Sequence, residues 1–257
     1  MIKFSKGKSF IKPDGVIFYD DKKFSLPKVA IGVFSKHLYD KMIENNKCYE
    51  VGYIETANAE NSVYIMDYKG SLFTFFLAGV GGPLIASGLE DLIESGVEKF
   101  IIFGNCGCLD SNIKDCDIII PNLAYREDGT SQHYIPDSET IEVNPKYKED
   151  FIKILKDNNY NYFVGPTWTT DALFRETEDK IQYFQEKGVL TVEMEGSTIA
   201  AVCKYHSKDY FTFYYAGDLL DSPEWERRSI SGRTNLAKKE EVSNLALEMG
   251  KVLIKKR

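Results

Sequence analysis

The chain has 257 residues and carries 39 acidic against 32 basic side chains, a formal charge of −7. That balance argues against sequence-independent grip on a nucleic acid, which needs clustered Lys and Arg. At 43% apolar and 28% charged residues, with no run of about 18 apolar residues, the composition is that of a globular protein and predicts no membrane span.

The length suits one α/β domain over residues 1–257, with no repeat, low-complexity tract or linker dividing it. The opening MIKFSKGKSF lacks the basic, apolar and small-residue order of a signal peptide, so a cytoplasmic protein is expected. Cys48, Cys106, Cys108, Cys116 and Cys203 are odd in number and lack CxxC spacing. They read as reduced thiols, with neither a disulfide framework nor a metal site.

In chain order, KVAIGVF (28–34) reads as a strand and SKHLYDKMIEN as a helix. SVYIMDYKGSLFTFFLAGVG reads as a hairpin turning at Lys69-Gly70, and GGPLIASGLEDLIESG as a helix. EKFIIFGNCG and DIIIPNLAYRE follow as strands, KEDFIKILKDNN as a helix, NYFVGPTWTT as a strand and ETEDKIQYFQEKG as a helix. VLTVEME is a strand, GSTIAAVCKYHS a helix, DYFTFYYAGD a strand, and RTNLAKKEEVSNLALEMGKVLIKK the last helix. Alternation of this kind implies a largely parallel or mixed sheet flanked by helices.

Ligands of such sheets sit at the carboxyl ends of the strands. Those ends read GVGGP (79–83), FGNCG (103–107), YREDGTSQHY (125–134), WTTDALFRET (168–177), VEMEG (192–196) and YAGDLLD (215–221). Each places Gly, small polar or acidic residues after an apolar strand, and together they predict a concave polar site. GVGGP precedes a helix, so its amides could face an anion, or it could be a tight turn; it is neither GxGxxG nor a P-loop.

Strand parity would point Glu193 and Glu195 to one face and Met194 to the other. Two aligned acceptors suit a vicinal diol, and a solvated rim is the plainer alternative. Asp218 fits either a turn cap or a proton donor. Ser131, His133 and Asp218 could be assembled into a triad, but the GxSxG elbow is missing.

Taken together and in this order, GVGGPLIASGLEDLIESGVEKFIIFGNCGCL, DIIIPNLAYREDGTSQHYIP, VEMEGSTIAAV and AGDLLD resemble the nucleoside phosphorylase family, over about residues 28–250. That family includes purine nucleoside phosphorylase, uridine phosphorylase and the methylthioadenosine nucleosidases. The resemblance implies a single α/β domain whose twisted mixed sheet partly closes into a barrel. It also implies homo-oligomers, dimers or hexamers, and cleavage of an N-glycosidic bond with phosphate or water as acceptor and no cofactor.

Carried over residue by residue, Met194 and Glu195 resemble the ribose holders, with Glu195 on the 2′ and 3′ hydroxyls. Asp218 resembles the acid that protonates N7 of a purine, and Arg227 the arginine that supports it. Cys106 and Gly107 resemble residues flanking the base, Leu173 and Phe174 its wall, and Arg175 a contact to a base carbonyl. Because cleavage passes through a cationic sugar, acceptors at the ribose and a proton for the leaving base both favour the transition state.

The departures concern phosphate. Where phosphorolytic members carry GDPxR, this sequence has GVFSK, keeping Gly32 and placing Lys36 for the arginine; Ile102 replaces a second arginine and Asn105 a Ser or Thr. No arginine lies near residues 55–61, and no His precedes His37. A site of Gly32, Lys36 and Asn105 is thin, since Arg grips phosphate with two parallel bonds and Lys as a point charge. The expectation is a phosphorylase of purine nucleosides, with a nucleosidase using water and a non-catalytic nucleoside-binding member as alternatives.

Overall fold

The computed structural model describes residues 4–20, 25–231 and 234–256. Its strands are β1 (Ile17–Phe18), β2 (Val29–Val33), β3 (Lys47–Thr56), β4 (Ala59–Tyr68), β5 (Ser71–Leu77), β6 (Lys99–Cys108), β7 (Ile118–Arg126), β8 (Thr140–Glu142), β9 (Tyr162–Thr169), β10 (Thr191–Glu193) and β11 (Asp209–Leu219). The helices are α1 (Lys36–Asn45), α2 (Gly82–Glu94), the one-turn α3 (Ser131–Tyr134), α4 (Lys148–Asp157), α5 (Glu178–Glu186), α6 (Gly196–Tyr205) and α7 (Leu236–Lys255). Leu173–Arg175 forms a short 3-10 turn.

One mixed sheet holds all the strands in the order β1-β3-β4-β5-β2-β6-β10-β9-β7-β11, with β8 paired to β7. Because β11 also pairs with β6, strands β6, β10, β9, β7 and β11 close into a five-stranded barrel, while β1 to β5 extend from β2 as an open wing. The fold is the single α/β domain with a partly closed sheet that the family resemblance implies. The hairpin turn also falls where expected: Lys69 and Gly70 both take positive φ, 51° and 80°, as a two-residue hairpin turn requires.

Strand β6 shows why the core has two sides. Phe100 and Ile102 pack on one face with Ile85, Leu89 and Leu92 of α2 and Ile199 to Cys203 of α6. Ile101 and Phe103 pack on the other with Leu38 and Met42 of α1, Phe151 of α4 and Leu245 of α7. A strand covered on both faces needs apolar side chains at every position, hence the unbroken FIIF.

Besides the short β1, β8, α3 and the 3-10 turn, which have no counterpart in the sequence reading, three larger details differ from it. Strand β3, which pairs with β4 over nine residue pairs, has no counterpart in it. The VLTVEME segment is strand only over Thr191–Glu193. The last helix starts at Leu236, and Arg233, at the start of the expected one, lies outside the described residues. All five cysteines are free, four of them buried and Cys48 half-buried. Burial pushes the thiols of Cys106, Cys116 and Cys203 up, and that of Cys48 to about 11.

Candidate active site

At the carboxyl ends of β2, β5, β6, β10 and β11 lies a cavity of about 180 Å³, roofed by the loops after β9 and β11. Phe34, Val80, Asn105, Cys106, Gly107 and Val192 line it together with Met194, Leu173 and Ile230, and four acidic residues, Glu176, Glu193, Glu195 and Asp218, complete the lining. A larger groove of about 670 Å³ lies at the opposite end of β2 and β6, among Lys28, Val29, Glu98 and Lys99. Its charges are spent within the chain, Lys28 on Glu98 and Lys99 on the carbonyls of Leu253 and Lys256. The strand-end rule and the convergence of acids both select the smaller cavity.

Glu193 and Glu195 divide into two roles. The Glu193 carboxylate accepts from the backbone N–H of Glu195 at 2.7 Å and of Gly196 at 2.5 Å, and from the Thr169 hydroxyl at 2.5 Å. It therefore satisfies the exposed amides at the start of α6 in place of an N-cap side chain. Strand parity does not govern Glu195, because β10 has already ended and this residue occupies the N-cap position of α6. One of its oxygens accepts from Gly81 N–H at 2.5 Å, which ties it to the GVGGP turn. Gly81 sits at φ 91°, a conformation that selects glycine, and Pro83 follows at the helix start.

Burial raises the Glu195 carboxyl to about 8, with the neighbouring Glu193 adding to the shift. The same desolvation raises Asp218, offset by the Trp225 indole and by Arg228. Asp218 is aimed by a β-bulge: β11 pairs Ala216 with Cys106 and Asp218 with Gly107, leaving Gly217 as the extra residue. A Cβ on Gly107 would come within 2.7 Å of Leu220 Cδ1 and 3.3 Å of Asp218 Oδ1, so the bare backbone there makes room for the acid.

The remaining predicted residues separate. Met194, Cys106, Gly107, Leu173 and Asn105 line the cavity. Phe174 is 93% exposed and Arg175 is exposed, and neither lines it. Arg227 is exposed too, with its guanidinium over the Trp225 ring at 5.2 Å, and the group that donates to Asp218 is Trp225 Nε1, at 2.7 Å. Lys36 pairs with Asp40 on the surface, and Gly32 is buried inside β2 under the Phe76 ring. Ser131 donates to the buried Asp128 and His133 is exposed, so no triad forms with Asp218.

Phe34, Glu176, Trp225 and Ile230 escaped the sequence reading. Glu176 is half-buried and raised to about 7 by burial, with Asp218 and Glu127 adding to it. The acidic RETED run carries a signal for it; nothing local in PEWERR marks Trp225 as a partner of an acid seven residues earlier. Among the described residues, no Lys or Arg lines the cavity and no His, Cys, Asp and Glu cluster has metal-ligand geometry. No helix among them is long and apolar enough to cross a membrane.

The profile of the phosphorylase superfamily matches residues 28–253. A guanosine phosphorylase from Halorubrum lacusprofundi is 29% identical over 149 residues, covering 57% of this chain and 61% of the relative. A uridine phosphorylase from Haemophilus influenzae is 24% identical over 162 residues, covering 58% and 64%. A DeoD-type purine nucleoside phosphorylase from Bacillus cereus is 26% identical over 171 residues, covering 64% and 68%. The matched stretches thus span 61% to 68% of these relatives' lengths. Among solved structures, the uridine phosphorylase of Vibrio fischeri ES114 superposes with a TM-score of 0.77 at 18% identity, covering 97% of this chain and all of that one, and so shares its fold.

Proposed function

The chain belongs to the phosphorylase superfamily, and on that premise we propose that it cleaves the N-glycosidic bond of a purine nucleoside. The observation that carries this reading is the meeting of two buried carboxyls, Glu195 and Asp218, from different elements in one cavity. Glu195 accepts from the ribose diol and stabilises the positive charge that develops on the sugar. Asp218, whose carboxyl pKa is raised by burial, donates a proton to the ring nitrogen of the departing base, so the base leaves neutral. Met194 packs against the sugar, and Leu173, Cys106 and Gly107 flank the base.

Phosphate is the acceptor that the relatives' names support, giving free base and ribose 1-phosphate. It would be held by Asn105 and backbone amides, since the described lining offers no cation. That lining favours a second reading, in which water is the acceptor and the enzyme is a nucleosidase, because no cationic side chain is there to hold a dianion beside four acidic residues. An exposed apolar strip beside the cavity, with Val80 at 57% and Leu84 at 49% exposure next to Phe34, supports a homo-oligomer with the site near a subunit contact.

Turnover of adenosine, inosine, guanosine and uridine with and without phosphate separates the readings. Phosphate-dependent purine release supports phosphorolysis, and release indifferent to phosphate supports hydrolysis. Asp218→Asn should slow purine release about 10²–10⁴-fold while sparing a nitrophenyl riboside, whose leaving group needs no proton. Equal losses on both substrates would remove the leaving-group role. No cleavage of any nucleoside would leave a binding protein.

A further inference from the structure

Lys239, in the first turn of α7, is 1% exposed and makes no ion pair among the described residues, although the Asp115 charge favours its ammonium form. Its ammonium donates to the carbonyls of Ser229 at 2.5 Å and Ser231 at 2.8 Å, and lies 5.7 Å from the centre of the Tyr215 ring. A buried cation that makes no ion pair is costly, and a Met of similar volume would fill the space without the charge. What the charge achieves is specific: the two carbonyls it binds flank Ile230, which lines the cavity and whose own carbonyl accepts from Asn105 Nδ2 at 3.5 Å. Three successive carbonyls are thus held alternately, two from α7 and one from β6. The same loop carries Trp225, the donor to Asp218, and is pinned further by Arg228 on the Ile113 carbonyl and Ser229 on Asp115.

We infer that Lys239 is a positioning residue of the site: by holding the carbonyls on both sides of Ile230, it fixes the loop that roofs the cavity and sets the Trp225 indole on Asp218. Its effect on the loop stands on these contacts alone; its effect on turnover rests on the function proposed above. Asp218 is faced by the Cys106 thiol of β6, Glu176 of the loop after β9, and Trp225 and Arg228 of its own loop. Of these, Trp225 and Arg228 favour its ionised form. Loss of the indole contact therefore raises the Asp218 pKa and moves the alkaline limb of the rate profile to higher pH.

The test labels the two tryptophans, Trp168 and Trp225, with 5-fluorotryptophan, assigns the two fluorine resonances with Trp225→Phe, and compares wild type with Lys239→Met. The expected result is that the Trp225 resonance moves while that of Trp168, buried against Phe184, stays. In parallel, kcat/KM for a purine nucleoside should fall about tenfold or more, with the alkaline limb shifted upward as in Trp225→Phe and no further shift in the double variant. An unmoved Trp225 resonance overturns the inference whether or not the protein cleaves nucleosides. So does a rate loss of the same size in the Trp225→Phe background with the limb unmoved. If Lys239→Met fails to fold, Lys239→Gln, which keeps one donor group, is read on the same two resonances.

Discussion

Glu195 is the residue whose environment has the widest consequences. A carboxyl raised to about 8 in the folded chain from an ordinary value of 4.5 binds a proton in the native state that the unfolded state has lost. Stability therefore falls as pH climbs from about 4.5 through 8, by ~1.4 kcal/mol per unit. Glu195→Gln removes that penalty, so its advantage in Tm over wild type should grow between pH 5 and pH 8 and then level off. Parallel curves would mean that Glu195 is already ionised in the empty site. A second consequence concerns binding: hydroxyl donors favour the ionised carboxylate, so a ribose-bearing ligand should release a proton at pH 7. Calorimetry in buffers of different ionisation enthalpy would register it, and a heat independent of buffer would contradict it.

Among the elements, the start of α6 is the most tightly specified. Residues Gly196 to Cys203 are all buried, so no water reaches the first amides of the helix, and Glu193 serves them. Glu193→Ala should cost about 1–3 kcal/mol by leaving two N–H groups unsatisfied. Glu193→Gln keeps one acceptor oxygen for those amides and can donate to Thr169, so it should lose about 1 kcal/mol or less; equal losses in thermal denaturation would refute the capping role. This division between the two acids was only half legible in the sequence. The pairing of VEMEG with a small-residue helix marked the place, and the resemblance singled out Glu195. That Glu193 caps the helix depends on β10 ending after three residues, which no local pattern declares. Strand β3 was hidden for a related reason: only Val51, Gly52 and Ile54 of it are buried, so it lacks the unbroken buried run that marks β5. Asp218 was readable from the AGD after an apolar strand, whereas Trp225 and Lys239 meet it or its loop only through a turn whose path the sequence does not encode locally.

At the scale of the molecule, β6 is shared between the open wing, through β2, and the barrel, through β10 and β11. Neither part can open without breaking a ladder that the other needs. Heating should therefore give one calorimetric transition, with equal van't Hoff and calorimetric enthalpies. Two resolved transitions would show that the wing and the barrel are separable.

The free thiols turn that shared strand into a reporter. Cys106 and Cys108 lie on β6, Cys203 inside α6, Cys116 in the turn beneath the start of α7, and Cys48 on the partly exposed β3. Alkylation requires both access and a thiolate, so a native sample offers a thiol reagent one slow target, Cys48. Each of the other four becomes reactive only when its own part of the core opens. Brief exposure to an alkylating agent, read by peptide mass, would therefore time-stamp the opening of barrel, inner helix and roof loop separately, with no engineered label in the chain.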